Sequence, residues 1–164
     1  SPNINVTMPE DGTSAKIYAY LRGSNSDNTT LFGYYSDDSG VPDSLIDGNN
    51  SVTVNSSTPA WYNSSVSGNL SSGVKYYPSV MINTELTGAN YIYYDSGGSS
   101  GSSIYRSTGL SYMPDTYGSA AGSTNLRSIY LEYTESGGSS SGQLVGQSAL
   151  VGGGVLCGQG NLIN

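Results

Sequence analysis

The stretch Ser14–Arg22, S-A-K-I-Y-A-Y-L-R, decides the fold. Ala15, Ile17, Ala19 and Leu21 fall on one side of an extended chain; Lys16, Tyr18, Tyr20 and Arg22 fall on the other. A period of two is the signature of a strand with one face packed and one face presented. Upstream, Ile4, Val6 and Met8 alternate with Asn3, Asn5 and Thr7, and Pro9-Glu10-Asp11-Gly12 supplies a turn. Downstream, Thr30–Tyr35 predicts a second strand, with Leu31, Gly33 and Tyr35 alternating with Phe32 and Tyr34. Ser36 to Ile46 reads as a tight turn followed by a short apolar run, with a separate strand at Val52 and Val54.

Further strands are predicted near Trp61-Tyr62, over Lys75–Asn83, over Tyr91–Tyr94, at Ile104-Tyr105 and over Leu126–Tyr133. Tyr76, Val80 and Ile82 share one face of the Lys75 strand, where Pro78 marks a bulge or an edge. In the last strand Ile129, Leu131 and Tyr133 oppose Ser128, Tyr130 and Glu132, while Leu110–Ser123 reads as irregular. Several short strands separated by turn signals predict an all-β chain: a jelly-roll-like antiparallel β-sandwich.

Composition agrees with that class. Charged residues make up only 10% of the chain, yet it carries 15 tyrosines, unlike a disordered sequence. The net charge of −7 and the scattering of Lys16, Arg22, Lys75, Arg106 and Arg127 argue against nucleic acid, whose backbone needs clustered cations. No apolar run is long enough for a membrane span. No basic-then-apolar leader opens the chain, which fits either a leader already removed or a protein made without one.

The last part of the chain is different in kind. Ser136–Gly142, S-G-G-S-S-S-G, reads as a linker, placing a body at 1–135, a linker at 136–143 and a tail at 144–164. In the tail, Leu144, Leu150, Leu156 and Leu162 recur every six residues, followed by Val145, Val151, Cys157 and Ile163. Six is a multiple of the strand period, and each glycine between them would cost a helix about 1 kcal/mol relative to alanine. So short an apolar ribbon has no core of its own. The expected assembly residues are therefore Leu144, Val145, Leu150, Val151, Leu156, Leu162 and Ile163, docking on another subunit. The alternatives are a strand on the chain's own body or a disordered tail. Cys157 reads as a small buried hydrophobe, with an intermolecular disulfide as the alternative.

Catalytic chemistry finds little support. There is no histidine to activate the many serines, and no nucleophile-elbow or phosphate-loop motif. Acids lie in turns, where Asp is favoured for bonding its own backbone. No enzymatic activity and no cofactor are expected. Asp37, Asp38 and Asp43 are the one oxygen-rich loop set that could share a Ca²⁺. Tyr18 and Tyr20, with a second group at Tyr91, Tyr93 and Tyr94, are candidate glycan-binding residues; the same rings suit a subunit interface or a second core face. N-x-[ST] sequons begin at Asn5, Asn28, Asn49, Asn55, Asn63 and Asn69 and mark candidate N-glycosylation sites.

The order of motifs also carries a resemblance. K-I-Y-A-Y-L, L-F-G-Y-Y-S-D-D-S-G-V-P-D-S-L-I, a V-T-V strand, a Trp, L-S-S-G-V-K-Y-Y-P-S-V-M-I, Y-I-Y-Y-D-S-G-G-S-S-G-S-S-I-Y-R-S, M-P-D-T-Y-G-S and R-S-I-Y-L-E-Y-T follow one another. Over about Thr13–Thr134 this resembles a jelly-roll module of bacterial surface, secreted and phage-associated proteins. The resemblance implies a non-catalytic accessory or adhesion module, akin to carbohydrate-binding modules. The chain departs from that pattern at Tyr76-Tyr77-Pro78, where such modules often carry a tryptophan. The Gly-rich tail is similar to the ends of phage and viral structural proteins.

Together these features predict a structural, self-associating protein of an extracellular, cell-surface or virion assembly, such as a filament, fibre or decoration subunit. The rival expectation is a glycan-binding adhesion module. The expected partners are further copies of the chain or cell-surface glycans.

Overall fold

The computed structural model describes residues 5–23, 28–82, 91–95, 103–105, 111–119, 121–136 and 141–145. In chain order the strands are β1 (Val6–Thr7), β2 (Gly12–Arg22), β3 (Asn28–Asp38), β4 (Val41–Val54) and β5 (Ala60–Ser65). Then come β6 (Asn69–Leu70), β7 (Lys75–Ile82), β8 (Tyr91–Ile92), β9 (Tyr94–Asp95) and β10 (Ser103–Tyr105). The last are β11 (Ala121–Ser123), β12 (Leu126–Arg127), β13 (Ile129–Glu135) and β14 (Ser141–Val145). Among the described residues no helix is long and apolar enough to cross a membrane.

Two antiparallel sheets make a sandwich-like body. One runs β1-β7-β3-β4; the other runs β14-β13-β2-β5, with β6 and β8 also paired to β2. Their inner faces share one core: Ile17, Ala19, Leu21, Ile129, Leu131 and Tyr133 from the second sheet meet Val6, Phe32, Tyr34, Val54, Tyr76 and Val80 from the first. Burying each of the larger aliphatic side chains contributes about 1.5–3 kcal/mol.

The alternation predicted for β2 holds from Ile17 to Leu21, all three inward positions being fully buried. Before Ile17 the phase changes. The β13 register slips between Glu132 and Tyr133, which pair with Lys16 and Ser14, so Ala15 is an extra residue on β2. This bulge makes Ser14 the buried residue and leaves Ala15 half-buried, the reverse of the expected order. The Ser14 hydroxyl then reaches the Tyr34 hydroxyl at 3.1 Å, and Tyr34 donates to the Ser67 carbonyl at 2.9 Å.

β3 departs further from the one-sided pattern. Phe32 and Tyr34 enter the inter-sheet core, while Leu31 and Tyr35 enter a second core with Tyr77, Met81, Met113 and Tyr117. The cover on this outer face is the segment 111–119. Asn49 clasps it at both ends of one residue: its Nδ2 donates to the Met113 carbonyl at 3.3 Å and its Oδ1 accepts the Met113 amide at 2.6 Å. Tyr35 donates to the Pro114 carbonyl at 3.0 Å, Leu45 N to the Asp115 carbonyl at 2.8 Å, and Tyr117 N to the Asp43 carbonyl at 2.7 Å. Gly33 makes room for this cover, since a Cβ there would meet the Gly48 Cα at 2.6 Å and the Met113 sulfur at 2.9 Å.

Other boundaries shift too. β4 is one long strand with irregular pairing to β3 rather than a turn, a short run and a separate strand. The hairpin before it is the tight turn expected: Asp38 pairs with Val41 across Ser39 (φ 57°) and Gly40 (φ 89°), the positive dihedrals of a type I′ turn. Leu126–Tyr133 divides into β12 and β13 at Ser128, and Tyr91–Tyr94 into β8 and β9 at Tyr93. Part of the expected linker is strand, because β14 begins at Ser141 and pairs with β13 through Leu131↔Leu144 and Tyr130↔Val145.

Removing the clasp should loosen the outer core. Asn49→Ala is expected to lower the unfolding free energy by about 1–3 kcal/mol, because two backbone groups of Met113 lose their partner. Denaturant titration against the parent protein measures it. Buried tyrosines set the alkaline limit. Burial pushes Tyr34 up to about 12 against the opposing effect of its Ser14 hydrogen bond; burial, then the Glu10 and Glu135 charges, push Tyr133 up to about 12. Both hydroxyls stay protonated in the fold and ionise near pH ~10 when unfolded. The folded value being higher, their stabilisation is complete below about pH 10 and is lost as pH rises towards 12. The denaturation midpoint should fall across that window, and less steeply in Tyr34→Phe; a midpoint flat throughout contradicts this.

Candidate functional site

The same alternation that buries Ile17, Ala19 and Leu21 presents Tyr18, Tyr20 and Arg22 on the outer face of the six-stranded sheet. Burial of Ile129 and Leu131 does likewise for Tyr130 on β13. On the opposite flank β5 offers Trp61, Asn63 and Ser65, all exposed, while Tyr62 packs against the core. Register then places these residues side by side: Tyr130 pairs with Tyr18, Tyr18 with Asn63, and Tyr20 with Trp61.

The result is a continuous aromatic strip. Tyr18 and Tyr130 stack with ring centroids 4.6 Å apart and planes within 13°. Trp61 lies 5.2 Å from Tyr130 and 5.3 Å from Tyr20, tilted by 58° and 49°. Tyr93 continues the row at 5.3 Å from Tyr20, its backbone held by an N–H bond to the Tyr20 carbonyl at 3.1 Å. These are favourable contact geometries, each contributing about 0.5–1.5 kcal/mol beyond area burial. Trp61 stands at the middle and is 48% exposed.

Polar groups flank the rings. The Tyr18 hydroxyl donates to Glu132 Oε2 at 3.3 Å; burial and then the Glu132 charge raise its pKa, keeping it a donor. The Arg22 guanidinium lies 4.7 Å above the Tyr91 ring, and that of Arg127 lies 4.9 Å above Tyr94. The contact with Tyr91 holds the Arg22 guanidinium beside the ring while leaving N–H groups at its edge.

The sequence expectations map unevenly onto this face. Tyr18, Tyr20, Tyr91, Tyr93 and Tyr94, expected as two groups, lie along or beside one strip. Trp61 and Tyr130 were not singled out. Tyr130 shares a strand face with Glu132, a detectable signal, but A-W-Y-N-S-S in β5 has no apolar alternation to point Trp61 outward.

Asp37, Asp38 and Asp43 do not converge. Asp37 Oδ1 accepts the Tyr77 hydroxyl at 2.7 Å, Asp38 accepts from Ser39 at 3.0 Å, and Asp43 accepts from Ser44 at 2.7 Å. Among the described residues no three metal-ligating side chains form a cluster. Of the sequons, Asn55, Asn63 and Asn69 are exposed, whereas the Asn49 amide is occupied by Met113. Asn5 hydrogen-bonds Tyr77, and Asn28 opens β3. Asn63 sits on the aromatic face, so a glycan attached there would cover the strip. Leu144 and Val145 lie in β14; Leu150, Val151, Leu156, Leu162 and Ile163 lie outside the described residues, as does Cys157.

Searches of protein families, of curated proteins and of solved structures find no match to this chain.

The strip predicts a spectroscopic signature. Trp61 is the sole tryptophan, and Tyr20 shields one side of it. Tyr20→Ala should shift its fluorescence emission to the red and increase quenching by iodide, with the circular dichroism of the sheets unchanged. An unchanged emission maximum would place Trp61 elsewhere.

Proposed function

We propose that this chain is a non-enzymatic glycan-binding module of an extracellular, cell-surface or virion assembly, with Tyr18, Tyr20, Trp61, Tyr93 and Tyr130 as its binding face. The observation that carries this reading is the unbroken row of rings centred on the exposed Trp61. The apolar C–H faces of a sugar stack on aromatic rings, and the hydroxyls of the tyrosines and the side chains of Asn63 and Ser65 offer hydrogen bonds to its rim. From Tyr18 to Arg22 the strip runs about 13 Å along β2, a length suited to an oligosaccharide rather than a single sugar. The sandwich-like body and the order of its motifs favour a jelly-roll module as the scaffold.

A second reading rests on β14. A strand that joins β13 by main-chain pairing is the kind of element another copy can supply. In that reading the leucine hexads beyond Val145 continue onto a neighbouring subunit, and the chain is a filament, fibre or decoration subunit. The two readings are compatible, because β14 occupies the sheet edge and the rings occupy its face.

Affinity electrophoresis through gels containing soluble polysaccharides tests the first reading. The parent protein should be retarded by at least one polysaccharide, and Trp61→Ala should migrate as in an empty gel while keeping the parent's melting temperature. Retardation equal in both proteins removes the strip from the binding face. For the second reading, light scattering should show the full chain larger than a monomer and a chain ending at Ser136 monomeric; two monomers would exclude it.

A further inference from the structure

We propose that the aromatic face selects acidic glycans, with the Arg22 guanidinium binding a sugar carboxylate or sulfate at one end of the strip. This rests on the glycan-binding reading above and specifies its ligand.

The argument is one of charge placement. The chain has only five basic residues and a net charge of −7. Four of those five are described, and three of them, Lys16, Arg22 and Arg127, lie on or beside the strip; Lys75 lies on the other sheet. Most of the described acids lie away from the strip. Asp11 and Glu135 flank and pair with the Gly12 end of β2, and Glu10 joins them there through Tyr133. Asp37, Asp38 and Asp43 surround the β3–β4 hairpin, and Asp47 accepts the Ser67 amide at 2.6 Å. On the strip itself Glu132 pairs in register with Lys16, so those charges offset each other. At the far end of β2 stands Arg22, six residues or about 20 Å from Lys16.

Geometry suits that charge to an anion. The Arg22 guanidinium lies over the half-exposed Tyr91 ring, which holds its plane. A planar fork of donors matches the paired oxygens of a carboxylate or sulfate. Tyr91 pairs with Arg22, and Tyr93, two residues on, continues the row to Tyr20 and Trp61. A sugar chain stacked on Trp61 and Tyr20 therefore brings its next acidic substituent to Arg22.

The test uses matched ligands: hyaluronan against its carboxyl-reduced form, and dextran sulfate against dextran, titrated while following Trp61 fluorescence. A charge-assisted pair should make the acidic member of at least one couple bind about tenfold more tightly, an advantage that shrinks as salt is raised. The couple that discriminates identifies carboxylate or sulfate as the anion. Arg22→Gln, which keeps the side-chain stem, should erase the advantage, so that the acidic and neutral members of the couple bind alike. Equal binding of both members, or an advantage that survives Arg22→Gln, overturns the acidic preference while the glycan reading stands. No binding of any of the four polymers overturns the acidic preference, and the glycan reading falls with it only if no polysaccharide retards the protein in the gel test.

Discussion

The structure depends on a strand with no solvent face. In β3, Leu31, Phe32, Tyr34 and Tyr35 are all buried, and the neighbouring β7 repeats this with Tyr76, Tyr77, Val80 and Met81. Their residues divide between two cores, one between the sheets and one under segment 111–119. Burying tyrosine is tolerated only where the hydroxyl finds a partner. Each of these hydroxyls has one: Tyr34 with Ser14 and Ser67, Tyr35 with Pro114, Tyr77 with Asp37, and Tyr76 with the Ser71 amide at 3.0 Å. The tyrosines that make the chain unusual in composition thus act first as core residues that link loops to sheets.

The second sheet uses the same residue type differently. On β2 and β13 one face supplies aliphatic side chains to the core and the other supplies rings to the surface. The two roles are mechanically linked. Packing of Ile17, Ala19 and Leu21 fixes the strand, and the strand register fixes Tyr18 against Tyr130 and Tyr20 against Trp61. Cross-strand pairing of this kind orients rings before any ligand arrives, which lowers the entropic cost of binding. The bulge at Ala15 lies outside this region, so the strip is built on the regular part of β2.

What the sequence made legible follows the range of the forces involved. The Ser14–Arg22 alternation is local and identified both the strand and its outward tyrosines. The Asp38-Ser39-Gly40-Val41 turn is local as well, since glycine supplies one of its two positive dihedrals. The double-sided burial of β3 was hidden because its outer cover lies some eighty positions downstream, in a segment without strand periodicity. The Ala15 bulge was hidden because register is set between β2 and β13, not within β2. Three of the strip's five rings were legible: Tyr18 and Tyr20 announce themselves by alternation and Tyr93 by its tyrosine cluster, whereas Trp61 joins them only through the β2–β5 pairing. Ser141 read as linker because composition favours flexibility there, but an open β13 edge offers backbone partners to whatever chain follows.

The most direct test of the central claim is a map of where a bound oligosaccharide perturbs the protein, by two-dimensional NMR of the labelled chain. The account predicts saturable shifts concentrated on Tyr18, Tyr20, Arg22, Trp61, Tyr93 and Tyr130, with Leu31, Tyr77 and Met81 on the opposite sheet unaffected. Shifts concentrated on β4 and segment 111–119, with the Trp61 side chain unmoved, would contradict it.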